Sequence, residues 1–406
     1  MSSPTLGRPF WTLWTAFTAS NLGDGLGVVA MPLLAIRLTD DARLVAAVAV
    51  CQYLPFLIIG LPAGVVLDRF DRRWIAVTAQ VGRALVLGGL VIVVARGGAT
   101  IAALMLASFL IGASEVMTDG GLPALVRDLV DPPLLEVANA RLSATQTVSN
   151  SFVGPPLGAL LFQLDPALPF AASAVVALVS VGMLVRLPGD HRPEQTDESA
   201  TFWTRTTVGL RYVWAHPVLR PLALTVATFS FVGAAGNAVF VVLVTERFGL
   251  GGIGFGVLIS VDAIASVLMS FLVAGLIRRT SHSWSMRLSI VCFSASALLF
   301  GLTTLAAIAF VAAVINGISD PTWNIVSATV RQRLVPDEVF GRMMTAYLFI
   351  GWGMKPVGAL IGGLVAEQWG AQWVSVGSAI VVGSLFVLAR PMFRRVDASM
   401  RAASAP

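Results

Sequence analysis

Apolar residues in this chain come in long runs cut by short polar stretches. The runs lie near residues 10–37, 44–67, 74–95, 99–119, 139–163 and 168–187, and again near 218–245, 253–277, 285–304, 305–327, 340–366 and 371–393. Each reaches or approaches the ~20 residues that a helix needs to cross the hydrocarbon core of a bilayer. The boundary at 304/305 is the least marked, with almost no polar residue to separate its two runs. Between the sixth and seventh runs, residues 188–217 bring Pro188, Gly189, Asp190, His191, Arg192, Pro193 and Glu194, then Phe202, Trp203, Arg205, Arg211 and Trp214. This stretch reads as a polar linker with a short interfacial helix over its second part. The pattern predicts an all-α membrane protein of twelve transmembrane helices. Residues 1–187 form one six-helix bundle, 188–217 the linker and 218–406 a second six-helix bundle. The first run follows a short basic start with no small-residue cleavage site, which predicts a retained helix rather than a signal peptide.

Composition removes the main competitor. At 56% hydrophobic and 12% charged residues, with a mean hydropathy of +0.83, the chain carries half the charge of an ordinary soluble domain. The net charge of +5 comes from basic clusters between apolar runs, which orient membrane helices, so no nucleic-acid partner is expected. With both termini in the cytoplasm, the outer loops hold Arg37, Arg43, Arg96 and Arg247, and Arg83 and Lys355 fall inside helices. The other 21 basic residues lie on the inner side, which supports an even helix number in the cell membrane. Cys51 and Cys292 have no paired spacing, and His191, His216 and His282 sit in predicted loops. No cofactor, metal site or enzymatic constellation is expected.

The halves repeat. Ala124, Val126, Arg127, Pro132, Gly154, Gly158 and Leu160 recur 204 residues later as Ala328, Val330, Arg331, Pro336, Gly358, Gly362 and Leu364. Two related bundles about an axis along the membrane normal, with a substrate site near the midplane, are the architecture such a repeat predicts.

The most charged stretch within the first half is Gly64-Val65-Val66-Leu67-Asp68-Arg69-Phe70-Asp71-Arg72-Arg73, a tight turn whose arginines hold it in the cytoplasm. It resembles the signature loop of the major facilitator superfamily, Gly-x-x-x-Asp-Arg/Lys-x-Gly-Arg/Lys-Arg/Lys, with Asp71 in place of the second glycine. The resemblance implies a cytoplasmic gate built from Gly64, Asp68, Arg69, Arg72 and Arg73, with Asp119 pairing to one of the arginines. In the fifth run, Asn150 to Ala159 resembles the superfamily's Gly-x-x-x-Gly-Pro-x-x-Gly-Gly motif, associated with proton-driven exporters. Gly154, Pro155 and Gly158 match, and Asn150 and Ala159 replace two glycines. Small residues four apart allow close helix packing, and proline bends the helix. Ser20 to Gly27 followed by Met31-Pro32-Leu33, and the linker phrase Gly209 to Arg220, resemble the branch that includes macrolide and multidrug exporters and the enterobactin exporter.

An ionisable group at bilayer depth costs at least ~2.5 to 3.5 kcal/mol unless it is paired, so such groups mark function. Asp24, Glu115, Asp262, Asp320 and Lys355 are the candidates for proton or substrate binding. Asp24 is expected to carry the coupling proton. Lys355, the single lysine beside 26 arginines, can lose its proton when buried, as a guanidinium cannot. It is expected to act as a switchable counter-charge, with Asp24 as one partner. Trp323 and Trp352 lie deep enough to stack on cargo, while Trp11, Trp14, Trp74, Trp203, Trp284, Trp369 and Trp373 lie near helix ends as interfacial anchors. Together these features predict a secondary transporter, a monomer in the bilayer, that exports a hydrophobic or amphipathic small molecule in exchange for protons. A siderophore or secondary metabolite is the alternative cargo, and a transport-inactive membrane sensor the alternative of another class.

Overall fold

The structure, a computed structural model, describes residues 6–60, 63, 66, 70–131, 134–189 and 202–402. All regular structure among them is helical. In chain order the helices are α1 (Arg8–Leu38), α2 (Ala42–Ile58), α3 (Arg72–Ala95), α4 (Ile101–Leu129), α5 (Leu135–Gln146), α6 (Gly154–Leu164), α7 (Leu168–Val185), α8 (Phe202–Ala215), α9 (Leu219–Val242), α10 (Gly252–Arg279), α11 (His282–Leu302), α12 (Ala306–Leu334), α13 (Asp337–Trp369), α14 (Ala371–Leu388) and α15 (Arg390–Ala402). Ten helices among the described residues are long and apolar enough to cross a membrane. The runs expected at 44–67 and 139–163 are not among the ten. The first is described as the 17-residue α2, and the second is divided between α5 and α6.

That division has a local cause. Thr147–Val153, between α5 and α6, is π-helical, and the Gly154 N–H donates to Ser149 O, five residues back. Pro155 and Pro156 follow with no N–H to offer, so the α-type ladder is broken there in any case. A widened turn is one way for a helix to absorb that interruption.

Contacts divide the chain into two compact units. The first holds α1, the later part of α2, α3 to α7 and the opening of α10, Gly251–Ser260. Its helices meet through glycine. A Cβ on Gly154 would lie 2.5 Å from Gly25 Cα, and one on Gly158 would lie 2.7 Å from Leu26 O, so α6 and α1 pack backbone on backbone. Ser260 donates to Phe152 O at 3.2 Å, tying α10 to the π-helical turn.

The second unit holds Asp41–Val50, Ser199–Leu250 and Val261–Pro406. Its α13 meets α9 in the same manner, since a Cβ on Gly358 would run into the Phe231 carbonyl and one on Gly362 would lie 2.5 Å from Ala235 O. The glycines 204 residues apart therefore do the same work in both units. A second pair, displaced by 205, behaves alike: Gly112 of α4 abuts Gln52 O of α2, and Gly317 of α12 abuts Asp262 O of α10.

Helix α15 is an addition to the expected pattern, which carried the last run to 393. Its apolar face, Met392, Phe393, Val396 and Met400, is buried in the second unit with Val213, Val218, Met286 and Val335. Asp397 on its flank accepts from the Ser283 N–H at 3.1 Å and from the hydroxyls of Ser283 and Ser281 at 2.5 and 3.3 Å. A carboxylate thus sits at the N-terminus of α11, where free N–H groups favour negative charge. Asp397→Ala is expected to lower stability by about 1 to 3 kcal/mol through the donors left without an acceptor, read as an earlier thermal unfolding of the purified protein.

Candidate functional site

The first unit holds a small pocket lined from α1, α2, α3, α4 and α7. Asp24, Gly23, Gly27 and Met31 face it from α1, Gln52 from α2, Arg83 and Leu87 from α3, Ser108, Ile111 and Glu115 from α4, and Phe170 and Ser173 from α7. Arg83 donates from Nη1 to Asp24 Oδ1 in a salt bridge whose arginine side chain is only 5% exposed and whose aspartate is 17% exposed. A guanidinium does not release its proton, so Arg83 brings a fixed positive charge to the pocket. One turn before Arg83, the buried Gln80 donates to Ser20 on α1 at 2.6 Å, and Ser173 donates to Gly23 O at 3.2 Å. Helices α3 and α7 thereby hold the Asp24 stretch of α1 in place.

The second unit gathers a different set. Asp262 of α10 accepts from Asn316 Nδ2 of α12 at 2.9 Å. Asp320 lies one turn further along α12 and is exposed. It is near enough to both Asp262 and Lys355 for their charges to act on one another. Lys355 is half-buried on α13, immediately before Pro356, with Nζ 5.2 Å from the centre of the exposed Trp352 ring. The two deep tryptophans separate here. Trp323 is 3% exposed and packs on Phe229 at 5.0 Å between ring centres, so it is core, while Trp352 stays accessible beside the ammonium.

The counterparts follow from the glycine contacts. Glu115 stands three residues after Gly112, and Asp320 three residues after Gly317, so the two acids occupy matching places. Their surroundings differ: a fixed arginine from α3 faces Glu115's cavity, whereas a lysine from α13 acts on Asp320.

Of the expected gate, Gly64, Asp68 and Arg69 lie outside the described residues, as does the side chain of Asp119. Asp71, Arg72 and Arg73 are described. Asp71 caps α3, its carboxylate accepting from the Arg73 N–H at 2.8 Å. The residue that departs from the signature glycine therefore starts the next helix. Arg72 pairs with Asp128 at 3.7 Å, and Arg73 donates to Leu187 O. Each arginine ties α3 to the end of another helix of its unit.

At the start of α2, Arg43 binds Asp41 at 2.8 Å and Glu367 of α13 at 3.5 Å. The hydrogen bond from Arg43 holds the Asp41 carboxyl down at about 2, below the usual carboxylate range. Burial pushes His216 below the ordinary histidine value, and its Nδ1 accepts from the N–H groups of Val218 and Leu219 at 3.2 Å at the start of α9. Arg83, Asn316 and Gln52 went unnoticed in the sequence as site residues. For Arg83 a signal was present, a charge inside an apolar run. Gln52 and Asn316 carry no charge to mark them.

The sequence of the chain matches the Major Facilitator Superfamily from residue 13 to residue 354. The chain belongs to that superfamily. It is 23% identical to the multidrug efflux pump Tap of Mycolicibacterium fortuitum, over 98% of this chain and 99% of that protein. It is 26% identical to the uncharacterized MFS-type transporter YfiS of Bacillus subtilis (strain 168), over 93% of this chain and 90% of that one. The fold matches the crystal structure of the nucleoside transporter NupG with a TM-score of 0.77 at 15% identity, over 96% of this chain and all of that one. This major facilitator protein is a multi-pass membrane transporter, and what it moves is a small molecule.

Proposed function

We propose that the chain is a proton-coupled exporter of a hydrophobic or amphipathic small molecule. It works by alternating access of two six-helix halves, residues 1–187 and 218–406, joined by a cytoplasmic linker, with both termini inside the cell. The observation that carries export is the likeness to the multidrug efflux pump Tap across nearly the whole chain. The close packing of Gly154 and Gly158 on α1, in the motif associated with antiport, supports it.

Coupling is assigned to the second unit rather than to Asp24. Asp24 is engaged by Arg83 in a contact that ties α1 to α3, a structural use of the carboxylate. Asp262, Asp320 and Lys355 have a different balance. Two carboxylates and one ammonium carry a net charge of −1, and one added proton makes the group neutral without leaving a lone ion. Proton uptake then changes the charge presented by the site, which is what lets a proton bias one conformation over another.

Export is tested by the accumulation of a panel of dyes and antibiotics in cells with and without the protein, and with and without a protonophore. Lower accumulation that the protonophore abolishes is the expected result. In proteoliposomes, Asp320→Asn is expected to lose uphill transport driven by a pH gradient and to keep downhill exchange. Lys355→Arg is expected to lose uphill transport as well, since a guanidinium cannot deprotonate. Full uphill transport by both variants would remove the second unit from coupling.

A further inference from the structure

We infer that the outward face of α15, together with the corner between α8 and α9 beside it, is a binding surface for the headgroup of an anionic phospholipid. The inference is independent of the cargo and of the direction of transport.

The apolar side of α15 is already used. Met392, Phe393, Val396 and Met400 are buried in the same core cluster as Val213 of α8 and Val218 before α9, so this side of α15 packs on protein rather than dipping into lipid. What the helix turns outward is positive. Arg390, Arg394 and Arg395 are exposed, while Asp397, the one acid of Arg390–Ala402, is committed to Ser281 and Ser283 at the start of α11. Arg395 donates from Nη1 to Pro217 O at 3.3 Å, which fastens this face to the α8–α9 corner. The corner has the same sign. Residues 202–220 contain Arg205, Arg211 and Arg220 and no acid, and Arg211 and Arg220 are exposed. Its depth follows from the helix that leaves it: Leu219–Arg247 is long and apolar enough to cross a membrane, so Arg220, in the first turn, stands at the edge of the hydrocarbon. The Arg220 guanidinium lies 5.8 Å from the centre of the Trp214 ring, which is 47% exposed. An accessible indole belongs at headgroup level. Arginines at that level match a phosphodiester, because a guanidinium presents parallel N–H donors to two phosphate oxygens. A cluster of four or more basic residues beside a membrane span is the pattern that attracts anionic lipid.

Lipid retention by the purified full-length protein tests this without transport. The protein in detergent is titrated with phosphatidylglycerol and, separately, with phosphatidylcholine of the same acyl chains, and bound lipid is counted by native mass spectrometry. The parent is expected to retain phosphatidylglycerol over phosphatidylcholine by about tenfold or more, since each basic residue at an anionic lipid surface contributes about fivefold. Arg390→Gln combined with Arg394→Gln is expected to bring that preference close to equality and to leave phosphatidylcholine retention unchanged. Arg220→Gln, at the corner, is expected to lower the preference about fivefold, and it keeps the test open if the double variant does not fold. Arg8→Gln combined with Arg186→Gln removes the same charge from exposed positions of the first unit and is expected to leave the preference as in the parent. Equal retention of the two lipids by the parent overturns the inference. A preference unmoved by both the α15 and the corner variants, or lost equally in the first-unit control, does so too. Displacement of phosphatidylglycerol by millimolar inorganic phosphate would also overturn it, because the surface would then serve a soluble anion.

Discussion

Asp24→Asn is expected to destabilise the protein by about 3 to 5 kcal/mol, the usual cost of stripping one partner from a buried ion pair. Arg83 is the reason. Its side chain is almost wholly enclosed and its charge cannot be discharged by losing a proton, so loss of the Asp24 carboxylate leaves a permanent cation in a low-dielectric site. Arg83→Met should cost less, because Asp24 is more exposed and a carboxylate can take up a proton. The double variant Asp24→Asn with Arg83→Met removes both charges and is expected to recover most of the stability lost by Asp24→Asn. Thermal unfolding of the purified protein, compared across the four members of this cycle, measures the coupling directly. A single Asp24→Asn variant that unfolds with the parent would show that the pair does not hold α1 to α3.

Gly358→Ala is expected to have an effect of similar size through a different cause. Its new Cβ would overlap the Phe231 carbonyl of α9, and a backbone atom cannot swing aside as a side chain can. Helices α9 and α13 would have to separate along their contact, with loss of the close packing that holds helices together when neither gains from leaving lipid. Overpacking costs about 1 to 3 kcal/mol where neighbours can shift and more where they cannot, so this position belongs at or beyond the upper end. Gly154→Ala, facing Gly25 Cα in the other unit, should behave in parallel. The control is Gly89→Ala on α3, which meets nothing within 4 Å and should gain slightly from a better helix former. Yield of monodisperse protein and unfolding temperature are the readouts. A Gly358→Ala protein as stable as the Gly89→Ala control would mean that α9 and α13 pack less closely than described.

Much of this protein was legible in the chain before any fold was known. Runs of apolar residues reveal membrane helices because the bilayer requires length and hydropathy of every crossing segment, whatever it packs against. The 204-residue repeat identified Gly154 and Gly358 as equivalents, since small residues are demanded wherever backbones touch. Charges at depth marked Asp24, Glu115, Asp262, Asp320 and Lys355, because hydrocarbon tolerates few of them.

Pairing was another matter, because partners come from helices far apart in sequence. Asp24 was matched in expectation with Lys355, and the tertiary structure gives it Arg83, 59 residues on. Depth along a helix can be counted, but the direction a residue faces depends on neighbours. That is why Trp323 and Trp352, equal in sequence terms, divide into a buried core residue and an accessible one beside an ammonium. Asp71 read as a defect in a signature and is a helix cap, a role set by one hydrogen bond to the residue two places on. Helix α15 went unforeseen because its apolar residues are too few for a membrane span and acquire meaning only against the surface that buries them. Composition and periodicity determine which segments enter the bilayer. Which charges meet there is decided by packing, since a carboxylate gains as much from any cation within reach and only the fold sets which one that is.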